Sequence, residues 1–384
     1  MTTAFPLLRL PYLVLLPVLE QMELKERIAL SVLSKRARMF LKLLKMKCKY
    51  INLILDSGRL EMKVFSDKSE ELTVVMYIDE YQLSNMIYRY EGYFTWCNGG
   101  PLPVDYAVSI MDVMHCKSIN QFIVQDIAEH DCIPIVAKLS KIDEVIVEHI
   151  SPPNFLSIEA LLRKEKILLK VLKIVLPVSS AVTISYHALK PEDLREIIRG
   201  NFESVTVRKY SADYMPNHDM KFSLNDLRMT NVRSLEIAGP AFTLEDLNHY
   251  FKLWMKKKCD PRLEYLQVAT RRWLTVIEIR NLLLKGLNAI LHYPIRTDRT
   301  FRVLGNLKQV FSEVEDETPF WELDITRADG KTATIRIGSH GTVCFYVCPE
   351  SPNNTTNLEP SRSSFARKLS FISTFYNSCV NRFK

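Results

Sequence analysis

Glycine is scarce: 11 in 384 residues, under half of the ~7% found on average. That scarcity disfavours glycine-rich phosphate loops, collagen-like chains and glycine linkers, and it fits regular helix and strand. No Walker-type loop and no Gly-x-Gly-x-x-Gly occur, and Gly99-Gly100-Pro101 reads as a turn. Gly-x-Ser-x-Gly is absent too, as is any local signature of a catalytic cysteine. The eight cysteines follow no framework spacing, and a chain of this size needs no staples. They read as reduced thiols in a cytoplasmic or nuclear protein, with the Asn353 and Asn354 sequons as chance polar loop. Cys344 and Cys348 would lie about 13 Å apart on a strand, too far to share one zinc. His115-Cys116 and His130-x-Cys132 lack a matched second pair, and His249 reads as a helix-surface histidine. No metal, cofactor or catalytic residue is expected.

Long apolar runs are also missing. The longest near the start, residues 10–19, has ten residues, half of the ~20 that span a bilayer. A secretory leader would end in small residues, whereas Glu20-Gln21-Met22-Glu23 follows here. Neither a leader nor a membrane span is expected; a mature chain beginning beyond residue 20 would instead mark secretion. Charge of one sign is lacking as well: Lys+Arg 51 against Asp+Glu 44 leaves +7. Residues 35–49 hold seven basic residues and no acid, enough to account for the whole excess. Leu41, Leu44 and Cys48 are helix-spaced there. An acidic partner, anionic lipid and nucleic acid are the functional readings, and a solvated helix face is the plain one. The clusters Lys256-Lys257-Lys258 and Arg271-Arg272-Trp273 are interrupted by Asp260 and Glu264, so no nucleic acid partner is expected.

What is present begins with helices. Leu10-Pro11 can open one, because proline suits a first turn. Val14, Leu15, Val18, Leu19 and Met22 recur at helical steps, and a second helix carries Ile28, Leu30, Val32 and Leu33. Some 35 residues cannot bury this much apolar surface alone, so the surplus docks on the chain or on a partner. Phe5-Pro6-Leu7-Leu8-Arg9-Leu10-Pro11, then Val18-Leu19, Met22, Ile28, Leu33 and Ser34-Lys35-Arg36, resemble an F-box of the nematode type. One departure is Leu13, where that family commonly has an acidic residue. The resemblance implies a three-helix module over 5–50 that binds a Skp-family adaptor and, through it, a cullin. It further implies adaptor contacts at Leu7, Leu10, Pro11, Leu16, Val18, Leu19 and Ile28. The plainer alternative is that these residues are internal core, although an apolar string of this kind is more often an interaction element.

The middle carries a repeat. Apolar-x-x-apolar-x-apolar starts at Ile119, Ile142, Val171, Phe202, Val232 and Leu263, at intervals of 23, 29, 31, 30 and 31. Helical stretches at Pro191–Ile198 and Thr243–Met255 separate the later members, and Thr243 with Asp246 suggests an N-cap. A strand and a helix in each such unit describe a leucine-rich-repeat-like α/β solenoid. An ordinary α/β domain with evenly spaced strands gives the same pattern. In the solenoid, Glu203, Thr206, Ser234, Glu236 and Gln267 line a concave face.

Residues 273–292 are helix-spaced. Phe320–Arg327 and Lys331–Ile337 alternate as strands about Asp329-Gly330, a hairpin signal, and Gly341–Cys348 is a third strand. The stretch Phe242–Asn248 through Leu253-Trp254-Met255 and Pro261-Arg262-Leu263-Glu264-Tyr265-Leu266 is similar to the second type of F-box-associated (FBA) domain, as are Trp321–Arg327 and Asp329–Ile335. That implies a substrate-recognition domain with no catalytic residues. The expectation is therefore an α+β or α/β chain: an F-box over 5–50, repeat region over 51–190, FBA domain over 191–350 and a basic tail over 351–384. Its expected role is substrate receptor of a Skp–cullin–F-box ubiquitin ligase, itself not an enzyme. The alternative is a non-degradative interaction scaffold. No side chain names the substrate.

Overall fold

The computed structural model describes residues 7–46, 48–56, 59–66, 71–77, 94–96, 103–127, 133–148, 158–185, 189–208, 222–240, 242–259, 262–270, 275–292, 300–303, 306–309, 319–338 and 341–348. Phe5-Pro6, Gly99-Gly100-Pro101, Arg271-Arg272-Trp273, and the tail over 351–384 lie outside the described residues. The chain divides into two compact units, 1–188 and 189–384.

The first unit opens with three helices, α1 (Tyr12–Gln21), α2 (Leu24–Leu33) and α3 (Lys35–Leu43). Their ends are set by local chemistry. The Glu23 backbone N–H donates to Glu26 at 2.9 Å, a capping box that starts α2. Ser34 caps α3 by accepting from the Ala37 N–H. The Arg27 guanidinium donates to the carbonyl of Met22 at 2.8 Å, past the end of α1. Leu15, Leu19, Ile28, Ala37 and Leu41 are buried and form the module's core. The helix-spaced reading of residues 35–49 is corrected at its end: α3 stops at Leu43, Lys45 turns to φ 47°, and Cys48 begins a strand.

That strand is β1 (Cys48–Asp56). It forms an antiparallel meander with β2 (Arg59–Ser66) and β3 (Glu71–Tyr77), and β4 (Phe94–Trp96) joins β3 in parallel. On the other side of β1 run β5 (Ile119–Val124), β6 (Ile142–Val147) and β7 (Ser179–Ser185), all parallel. Helices α4 (Pro103–Val113), α5 (Ile133–Val136) and α6 (Ile158–Val175) lie between them in the chain. Leu53, Leu55, Phe122, Val124, Val145, Val147, Val182 and Ile184 give the sheet its buried face. Ala107, Ile110 and Val113 of α4, Val136 of α5, and Leu168, Val171, Leu172 and Val175 of α6 are among the buried helix residues. The third repeat member is corrected here. Val171, Ile174 and Leu176 belong to α6 and the turn after it, and the strand follows at Ser179–Ser185. A 3-residue apolar spacing satisfies a helix face as well as a strand, and this helix is long enough to claim it. The N-terminal helices pack on α4: Lys42 pairs with Asp112 at 2.5 Å, and the His115 ring meets the Lys42 carbonyl at 2.9 Å.

In the second unit, α7 (Pro191–Arg199), α8 (Leu224–Arg228) and α9 (Leu244–Met255) accompany the parallel strands β8 (Ser204–Arg208), β9 (Ser234–Pro240) and β10 (Tyr265–Ala269). Thr243 and Asp246 form a reciprocal capping box at the start of α9. The expected helix over 273–292 is shorter: Val276–Glu278 runs into a π-turn, Ile279–Leu283, and the chain leaves it through Gly286 at φ 67°. Then come β11 (Ile290–His292), the hairpin β12 (Thr300–Val303) and β13 (Asn306–Gln309), and strands β14 (Pro319–Thr326), β15 (Thr332–Gly338) and β16 (Thr342–Val347). The sheet order is β8-β9-β10-β16-β15-β14-β11, antiparallel from β10 onward. Each unit thus has a mixed sheet rather than an uninterrupted parallel one. Gly330 makes the β14–β15 turn at φ 88°. Tyr250, Phe251 and Trp254 of α9 close around Phe345 of β16, with ring centroids 5.2–6.1 Å apart.

Candidate functional site

Two surfaces answer to the expected contacts. The first is α1. Pro11, Tyr12, Leu13, Val14, Pro17 and Val18 are all exposed, and Leu13 is 84% exposed. Solvent-facing leucine, valine and tyrosine on one helix are the kind of patch that marks an interaction site. Of the expected adaptor residues, Pro11 and Val18 lie on this exposed face, while Leu7, Leu10 and Leu16 are half-buried. Leu19 and Ile28 are sealed inside the module, where they hold the helices together. Tyr12 links the patch to α3 through the Phe40 ring, 6.1 Å away. Pro17 removes one backbone donor within α1, the one that would bond to the carbonyl of Leu13 four residues earlier.

The second surface is the polar face of the second sheet. Registers align Thr206 of β8 with Glu236 of β9 and Gln267 of β10. The same row continues through Cys344, Arg336, Glu322 and His292. Three of the five expected concave-face residues therefore share one row. Ser234 lies in the adjoining row and is buried. Glu203 sits just before β8, at the lip of the sheet rather than on its face. There Arg233 bridges Glu203 at 2.9 Å and Glu264 at 2.7 Å, which raises the Arg233 pKa, chiefly through the Glu264 hydrogen bond.

The antiparallel half of this row escaped the sequence reading. Arg336 and Glu322, 1% and 0% exposed as side chains, pair at 2.9 Å. Asp324, in the next row, pairs diagonally with His292 at 2.7 Å and accepts from the Thr334 hydroxyl, its neighbour in that row, at 2.5 Å. Tyr265 and Tyr346 are buried beside them, 4.7 Å between centroids, and burial pushes both phenols well up. The signal was the alternation itself: Glu322 and Asp324 on β14, and Thr334 and Arg336 on β15, occupy every second position. A buried ion pair among hydrogen-bonded neighbours fixes a surface; it supplies no nucleophile. Among the described residues no group of three His, Cys, Asp or Glu could hold a metal, and no helix is long and apolar enough to cross a membrane.

Comparison with known families gives two matches. Residues 7–49 match the F-box domain, and residues 193–268 match the family described as F-box associated. No curated protein and no solved structure matches the chain.

Proposed function

We propose that the chain is the substrate-recognition subunit of a Skp–cullin–F-box-type ubiquitin ligase, of the nematode F-box kind. The observation that carries this reading is an F-box followed, in one chain, by an F-box-associated region. The F-box helices hold the adaptor through the exposed face of α1, with Leu7, Leu10, Pro11, Leu16 and Val18 contributing and Leu19 and Ile28 supporting from below. Leu13, apolar where that family commonly has an acid, adds to the apolar contact. The second unit holds the substrate at the row containing Thr206, Glu236 and Gln267. Its parallel strands act as a short leucine-rich-repeat-like platform. The chain makes and breaks no bonds. Tethering raises the substrate's effective concentration at the ligase's catalytic partner, and the setting is cytoplasmic or nuclear.

Co-expression with a Skp-family adaptor tests this. The wild-type chain co-purifies with it, and Leu13→Asp or Val18→Asp abolishes the complex at an unchanged melting temperature. A wild-type chain that binds no such adaptor overturns the reading and leaves the scaffold alternative.

A further inference from the structure

The first unit has a polar sheet face of its own. Strand alternation places Asn52, Ile54 and Asp56 on it from β1 and Thr183 and Ser185 from β7. Gln121 and Ile123 of β5 and Glu144 and Ile146 of β6 lie between, with Gln125 and Glu148 just past the strand ends. Two matching pairs cross from β5 to β6. Gln121 Nε2 donates to Glu144 Oε2 at 3.0 Å, and four residues on Gln125 Nε2 donates to Glu148 Oε2 at 3.0 Å. Thr183 Oγ1 donates to the other oxygen of Glu144 at 2.8 Å, and Asn52 Nδ2 donates to Gln121 Oε1 at 3.2 Å.

These donors are neutral, so they orient the two carboxylates without cancelling their charge. The cations on the neighbouring strand β2 have acids of their own: Arg59 pairs with Asp56 at 2.7 Å and Lys63 with Glu61 at 3.7 Å. Between the carboxylates lies a half-buried apolar step, Ile123 and Ile146. A second, independent feature marks the same edge. The register Val147–Ile184 sets Ser185 beside Glu148, and Ser185 is 5% exposed. Its Oγ is one of two buried side-chain polar atoms without a hydrogen-bond partner among the described residues; the other is Arg59 Nε. A buried hydroxyl left unpaired costs free energy that a ligand's polar group would recover.

We propose that this face is a second recognition surface, taking an extended basic segment of a partner polypeptide. The carboxylates lie four strand residues apart, about 13 Å, which is the spacing of positions i and i+4 in an extended peptide. The fitting sequence has lysine or arginine at both positions and an apolar residue midway, over Ile123 and Ile146. A polar group of the segment reaches Ser185 Oγ. The surface lies outside the region matched as F-box associated and works whether or not an adaptor is bound.

The probe is a fluorescein-labelled peptide with the core Lys-Thr-Ile-Thr-Lys, and its control has glutamate at both lysines. Fluorescence anisotropy with the full chain should show the basic peptide binding at least about tenfold more tightly at low salt, with the preference falling as salt rises. Glu148→Gln, at an exposed position, should weaken binding about threefold, and adding Glu144→Gln about tenfold in all. Ser185→Ala should weaken it further with no change in charge preference. Adaptor co-purification stays intact in all of these variants, which separates this surface from the adaptor reading. Equal binding of the two peptides, or wild-type affinity in a folded Glu148→Gln chain, overturns the proposal.

Discussion

Trp254 of α9 stands edge-on to Phe345 of β16, with ring centroids 5.2 Å apart and planes at 82°. The contact joins a helix from the parallel half of the second unit to a strand from its antiparallel half. The Arg327 guanidinium lies 5.4 Å from the centre of the same indole ring. Arg327 in turn grips Asp329 through two 2.9 Å hydrogen bonds, and Lys257 reaches the same carboxylate at 2.9 Å. These contacts hold the Asp329 carboxyl well below its ordinary range, first through Arg327.

Trp254 is therefore expected to be the costliest single truncation in the second unit. Trp254→Ala should destabilise by about 3–5 kcal/mol, from lost burial and the cavity left behind. Trp254→Phe should cost less than half of that. Urea unfolding followed by circular dichroism measures both.

Asp226 makes stability depend on acid. Burial alone would raise its pKa, but hydrogen bonds from the Ser223 backbone and side chain, the charge of Arg195 and a hydrogen bond from Arg199 outweigh it and hold the pKa below the ordinary 3.8. The folded value is thus below the unfolded one. The stabilisation is complete above the unfolded pKa and is lost as pH falls through the folded pKa. Asp226→Asn should cost about 1–2 kcal/mol at pH 7. Its deficit against wild type should shrink as the pH drops below 4 in urea titrations.

Arg336 and Glu322 should behave as a unit. Arg336→Met leaves a buried carboxylate without its counter-charge and should cost about 3–5 kcal/mol. Arg336→Met with Glu322→Leu should recover most of that loss, since neither buried charge then remains. A double-mutant cycle in denaturant reads the coupling directly.

Much of the local structure was legible in residues. Thr243 announced the start of α9, because an N-terminal turn needs acceptors for its free N–H groups, whereas the caps at Glu23 and Ser34 emerged only in the structure. Asp329-Gly330 announced its turn, because few residues adopt φ near +88°. The strands at Phe202–Val207, Val232–Ile237 and Leu263–Val268 were visible from their apolar spacing. That spacing misled at Val171, where eighteen residues of helix used the same positions. The meander β1–β3 carries its alternation plainly, at Ile51, Leu53, Leu55, Leu60, Met62 and Val64, but no motif marks it.

The sequence alone determined that this chain has an apolar N-terminal helix with more surface than it can bury, and strands whose faces alternate apolar and polar. Those properties are local, since they depend on residue type and periodicity. Tertiary structure decided which side of α1 stays exposed, leaving Leu13 and Val18 outside and Leu19 within. It also decided which polar residues meet. Gln121 finds Glu144 across 23 positions and Arg336 finds Glu322 across 14. Such partners are chosen by strand order and register, and a polar residue on a strand carries no record of the neighbour that the register will bring beside it.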